Sequence, residues 1–339
     1  MMYIALIYTL SLTLAALLGF AAHRASLCSV RAVEEIVNQR RAHTLGSFAK
    51  TALWAMIVAI PIAWLWPDRT VPVQGYAFSL SAVAGGFLFG LGAALNGGCT
   101  FSTLGHLADG CLWMFATLIG FCAGIAGWRY AADVMLIPPA APLMIKMTQP
   151  GLLATLCLLL WLWACWELRR LWRSRSPDLN WRQRLCAERY PLAAAALVLG
   201  VSSGLLYTLH GSWTYTTVFK GEVEAIMKAK AGPPTLLLWL FVAVFAGMVL
   251  SSWTRGSFRL RWRGEWPRHF FAGLLMGIGG AIVPGGNDEL ILRAIPALSP
   301  HALPAYLALL AGITCALLAL RIARRKFSGM GLSGGSARL

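Results

Sequence analysis

Cys99 stands at the end of a glycine break, Asn96-Gly97-Gly98-Cys99, inside an otherwise apolar run. The residues after it, Thr100, Ser102, Thr103 and His106, are polar and carry no fixed charge before Asp109. A thiol beside two glycines is a poor element for building a core and a reasonable lining for a narrow passage. A thiol is small, polarizable and weakly hydrogen-bonding, so it can contact a passing soft anion without holding it tightly. Cys28, in HRASLCSVRAVEE, is the second thiol placed at the end of an apolar run.

Two other chemistries of the same residues were weighed. A metal site would use Cys99, His106, Asp109 and Cys111, but their spacing matches no standard zinc pattern. No metal and no cofactor is therefore expected, and hydroxyls lining a pathway are the simpler account. A nucleophilic Cys99 would need a base, and the only nearby candidate is His106. Seven residues along, His106 is not a neighbour on the same helix face. Cys122, Cys157, Cys165 and Cys315 fall in apolar spans and read as small hydrophobes. The eight cysteines show no spacing of a secreted disulfide framework.

A second break, Pro284-Gly285-Gly286-Asn287, is followed by Asp288, Glu289 and Arg293. Breaks at membrane depth are tolerated where protein or a water-filled cavity satisfies the backbone. There, free N–H groups at half-helix ends can meet an anion. The sequence leaves two readings of the charges open. Glu289 and Arg293, four residues apart, form a helical pair, or the three charges belong to the outer interface or a functional site.

The elements that must position these residues are membrane helices. The chain of 339 residues is 58% hydrophobic and 12% charged, about half the charge of a soluble domain. Its apolar runs approach the 20 residues that cross a hydrocarbon core. Nine spans are expected, near 3–22, 48–66, 76–95, 112–135, 151–168, 191–209, 233–253, 269–283 and 302–321. Residues 2–22 lack a basic segment before them and read as a first span rather than a leader. Val30, Val33, Ile36 and Val37 mark a short interfacial helix, and 210–232 holds a second amphipathic stretch.

The net charge of +16 sits between the spans, the pattern of cytoplasmic loops, not of a nucleic-acid surface. Placing 23–47, 169–189, 254–268 and the C-terminal tail on one side gathers most of the Lys and Arg there. This puts the N-terminus outside, the C-terminus in the cytoplasm, and lipid around the spans.

GGFLFGLGAALNGGC (85–99) aligns with AGLLMGIGGAIVPGG (272–286), so that Gly86, Gly90, Gly92 and Gly98 fall on Gly273, Gly277, Gly279 and Gly285. The expected fold class is all-α and polytopic, an inverted 4+1+4 repeat with short re-entrant or interfacial helices. Residues 1–135 form the first repeat, 136–190 a linking helix and basic loop, 191–327 the second repeat, and 328–339 a flexible tail. Such repeats, with interrupted helices in corresponding places, point to a central substrate pathway. The candidate lining is Cys28, Asn96, Gly97, Gly98, Cys99, Thr100, Ser102, His106, Gly285, Gly286, Asn287 and Asp288.

The stretches 85–110, RASLCSVRA around Cys28, 252–263 and GLLMGIGGAIVPGGNDELIL (273–292) resemble the YeeE/YedE family of bacterial inner-membrane proteins, annotated for sulphur transport. The resemblance spans nearly the whole chain. It implies uptake of a small sulfur-containing anion, with thiosulfate the best guess, through an hourglass-shaped interior. It implies that Cys28 and Cys99 are two of the cysteines that pass the ion along by S–H···S hydrogen bonds. A small cytoplasmic sulfur-carrier protein is implied as a partner of the basic loops.

The family's thiosulfate transporters carry another cysteine in the second glycine motif, where this chain reads Val283-Pro284-Gly285-Gly286-Asn287-Asp288. Cys315 is too far along to replace it. Either two thiols and the Gly286/Asn287 backbone suffice, or the substrate is another sulfur or selenium compound. A passive small-solute channel and a membrane sulfurtransferase using Cys99 are the alternatives from other classes; transport without enzymatic activity is the expected function.

Overall fold

A computed structural model of the chain describes residues 2–66, 74–137, 140, 142–144, 150–174, 187–229, 231–262 and 264–329. Of them, 79% are helical. In chain order the helices are α1 (Met2–Ala25), α2 (Ser29–Gln39), α3 (His43–Leu65), α4 (Leu80–Asn96), α5 (Thr100–Ala108), α6 (Met114–Val134) and α7 (Pro150–Arg173). There follow α8 (Leu192–His210), α9 (Tyr215–Lys228), α10 (Thr235–Arg255), α11 (Trp266–Ile282), α12 (Asn287–Glu289) and α13 (Ala302–Gly329). A π-helical turn, Leu290–Ala294, continues α12. Two short strands, Gln74–Tyr76 and Pro142–Met144, pair antiparallel.

A helix lies at each of the nine expected spans. Among the described residues, seven helical segments are long and apolar enough to cross a membrane, eight if the pair Trp266–Ile282 and Asn287–Ala294, bent by 44°, is one span. The tail beyond 329 and most of the basic stretch 169–189 lie outside the described residues.

Helix-to-helix contacts are made through small residues, as expected where lipid offers no hydrophobic drive to association. α4 and α11 pack on each other at the centre. α13 covers α4, and α6 covers α11. A Cβ on Gly86 or Gly90 would run into the Ala305 or Leu309 carbonyl of α13. One on Gly273 or Gly277 would run into the Thr117 or Phe121 carbonyl of α6. α1 packs on α10 and α8, and α3 on α8.

α2 was expected to lie at the interface. Its N-terminal half is instead inside the protein, with Ser29, Val30, Ala32 and Val33 buried. The amphipathic pattern marks one apolar face, and that face packs on α3 and α13 rather than on lipid.

Candidate functional site

α4 ends at Gly97, whose positive φ of 75° turns the chain in a left-handed cap that a glycine adopts without strain. This delivers Cys99 as the residue capping α5. Cys28 caps α2 in the same way after α1 ends. The two helix starts face each other. The Ser29 N–H donates to Cys99 Sγ at 3.4 Å, and the Cys99 N–H donates to Cys28 Sγ at 3.5 Å. Cys99 is fully buried and Cys28 nearly so. Helix N-termini favour negative charge, so the two helix starts suit an anion.

The second break has the same layout with different chemistry. Gly286 caps α12, and Thr214 caps α9. The Gly286 N–H donates to Thr216 Oγ1 at 3.1 Å. Asp288 accepts from Thr216 Oγ1 at 2.7 Å and from the Thr216 N–H at 3.3 Å. The Gly285 N–H bonds the Gly280 carbonyl at 2.9 Å. The backbone donors expected to be free at this break are therefore engaged, and a carboxylate sits at the start of α9.

Asp288, Glu289 and Arg293 are all buried. Glu289 pairs with Arg293 and also accepts from Thr214 Oγ1 at 2.7 Å and Ser212 Oγ at 3.3 Å.

Asn287 joins the second break to the start of α2. Its Oδ1 accepts from Ser29 Oγ at 3.1 Å, while its Nδ2 is buried with no hydrogen-bond partner. Two cavities open at opposite ends of α4. One, of about 440 Å³, is lined by Cys28, Gly97, Ser102, His106, Arg31 and Asp109 among others. The other, of about 470 Å³, is lined by Tyr76, Trp128, Arg129, Lys220, Glu224 and Pro284 among others.

Thr100 is buried beside Tyr215, and Ser102 and His106 line the first cavity. Asn96 lines neither cavity. It donates to the Gly98 carbonyl (3.0 Å) and Thr103 Oγ1 (2.9 Å), and its Oδ1 meets Thr117 Oγ1 (2.7 Å) and His269 Nδ1 (2.8 Å). It is a brace across the break. Gly98, packed against Ser102, lines neither cavity either.

Among the described residues no group of three or more His, Cys, Asp or Glu side chains is placed to hold a metal. Asp109 is engaged elsewhere, accepting from Ser252 (2.8 Å) and Ser257 (2.6 Å) and meeting His23 Nε2 at 3.2 Å. Burial pushes its carboxyl up, but the His23 ring and the two hydroxyls outweigh this and hold it down at about 2. His23 Nδ1 in turn meets Ser251 Oγ at 2.9 Å. This latch joins α1, α10 and the α5–α6 turn. The residues that sequence reasoning did not reach are His23, Ser29, Thr216, Ser251, Ser252 and Ser257. Their roles depend on partners far away in the chain, and no local spacing signals them.

No curated protein matches this chain. The family model described as sulphur transport matches residues 24–315, a range that takes in both thiols, both breaks and all helices from α2 to α12. The chain belongs to the sulphur transport (YeeE/YedE) family of multi-pass membrane proteins.

Proposed function

We propose that this protein carries a small inorganic sulfur-containing anion, thiosulfate in our reading, across the bacterial inner membrane into the cytoplasm. The anion passes from the cavity at Pro284 to the cavity at Cys28 through a constriction formed by Cys28, Cys99, Gly286 and Asn287. The observation that carries this reading is the reciprocal contact at the two helix starts, where N–H groups converge on two thiols. Thiols suit the soft terminal sulfur of such an anion, and the unpartnered Asn287 Nδ2 suits one of its oxygens.

The reading includes nine spans in an inverted repeat, with the N-terminus periplasmic and the C-terminus cytoplasmic. Its support is that the packing pairs come in matched sets. α4 against α13 matches α11 against α6, and α1 against α10 matches α8 against α3. The breaks match too, with Cys99 and Gly286 each capping a helix. An inverted repeat around interrupted helices is a frequent transporter plan. The basic face beside Arg31 and Arg255 is the side on which a cytoplasmic sulfur carrier would dock.

The test is growth on thiosulfate as sole sulfur source, in a bacterial strain lacking its own sulfate and thiosulfate importers. Rescue by the wild type that is lost in Cys99→Ala supports the reading. Equal rescue by Cys99→Ala removes the thiol's role, and labelled sulfur bound covalently to Cys99 at steady state would favour a sulfurtransferase.

A further inference from the structure

A dianion entering a cell with a negative interior is opposed by the membrane potential on both of its charges. The sequence holds no GxxxxGK[ST] nucleotide loop, and a protonatable group inside the protein would offset part of this cost.

Asp288 is such a group. It is 1% exposed, and its two oxygens are held by the Thr216 hydroxyl and N–H. Among the described residues, no Lys, Arg or His pairs with it. Arg293, on the same segment, is engaged by Glu289. A buried carboxylate without a countercharge is costly, and intramembrane acids commonly serve as proton relays. An ionised Asp288 beside Asn287 would also repel an anion in the constriction.

The groups around it leave the proton as the available neutraliser. Its own segment offers Glu289, a second negative charge, and Arg293. α9 offers Tyr215, which lies near both Asp288 and Cys99. α1 and α10 present Leu18, Phe241 and Val244. Asp288 borders a gap of about 10 Å³, also bordered by Phe101 and Thr214, at the lower limit for one water. Phe101 lines the cavity at Cys28 as well, so one ring borders both spaces.

We propose that Asp288 takes up a proton from the outer side as the anion enters the constriction and releases it to the inner side as the anion leaves, so that the protein is a proton–anion symporter. No bond within the anion is made or broken. One proton and one anion move together, and the net charge carried falls by one. The inference rests on the inward sulfur-anion reading above.

The alternative is that Asp288 only ties α12 to α9 through Thr216. The full chain reconstituted in liposomes with an internal pH-sensitive dye separates the two. With labelled thiosulfate added outside, uptake accompanied by internal acidification is expected, rising several-fold as the external pH falls from 7.5 to 6. Asp288→Asn keeps an acceptor for Thr216; it is expected to lose the acidification and the pH response, and Asp288→Glu to restore both. Wild-type uptake without acidification, at a rate indifferent to external pH, overturns the coupling and leaves the transport reading standing. Absence of any thiosulfate uptake by the wild type overturns both.

Discussion

Cys28 and Cys99 sit 71 residues apart in the chain, and the backbone N–H of Cys99 is aimed at the Cys28 sulfur across 3.5 Å. The reverse contact, from Ser29 next to Cys28, closes the pair at 3.4 Å. Each thiol caps the other's helix. The arrangement needs no disulfide, and both cysteines are free. It places two polarizable atoms at the meeting of two helix starts, with the cavity of about 440 Å³ beginning at Cys28.

That proximity predicts a redox block. Hydrogen peroxide accepts two electrons and two protons from the thiols, so Cys28 and Cys99 join as a disulfide and the peroxide leaves as water. Uptake by treated membranes is expected to fall at least tenfold and to return with a dithiol reductant. Peptide mapping without reduction should find the Cys28–Cys99 link. In Cys28→Ser the link cannot form, and peroxide should leave whatever uptake remains unchanged.

Much of this architecture was legible in the sequence, for physical reasons. A run of about 20 apolar residues has few stable forms in lipid other than a helix, so each expected span coincides with one. The breaks were legible because Gly97-Gly98 and Pro284-Gly285-Gly286 cannot continue a helix at low cost. What sits at the breaks was less so. Asn96, an amide at a glycine break, reads as a pathway residue. Its role as a brace depends on Thr117 and His269, 21 and 173 residues away. The Gly285 and Gly286 N–H groups read as free because Gly280 and Thr216 take them only in the folded chain.

The latch around Asp109 predicts a pH dependence of stability. Its carboxyl is held down at about 2 in the folded protein, against about 3.9 for a free aspartate. A lowered folded value means the contribution is present above the unfolded value and is lost as the pH falls through the folded one. The latch should therefore keep its full contribution at pH 5 and above and lose it between about 4 and 2. The shift corresponds to about 2 kcal/mol. Asp109→Asn is expected to lower the melting temperature in detergent at pH 7. The gap from the wild type should narrow as both are melted at pH 4 and then 2.5. A gap that stays constant over that range would show that the charge is not what the hydroxyls and His23 stabilise.

The Glu289–Arg293 pair makes a separate prediction, because it is buried beside Thr214, Ser212 and the Tyr207 ring, which lies 5.9 Å from the guanidinium carbon. Removing one member of a buried pair leaves the other charge without compensation, at about 3–5 kcal/mol. Arg293→Ala should therefore give little folded protein. Glu289→Gln should be better tolerated, since the amide keeps an acceptor for Thr214 and leaves Arg293 over the Tyr207 ring. Replacing both residues by leucine removes both charges, and such exchanges are often close to neutral. The double variant should recover folded yield relative to Arg293→Ala, as judged by a monodisperse chromatographic peak and its melting temperature. If the double variant recovers stability but not uptake, the pair has a role in transport beyond holding the turn after Asp288.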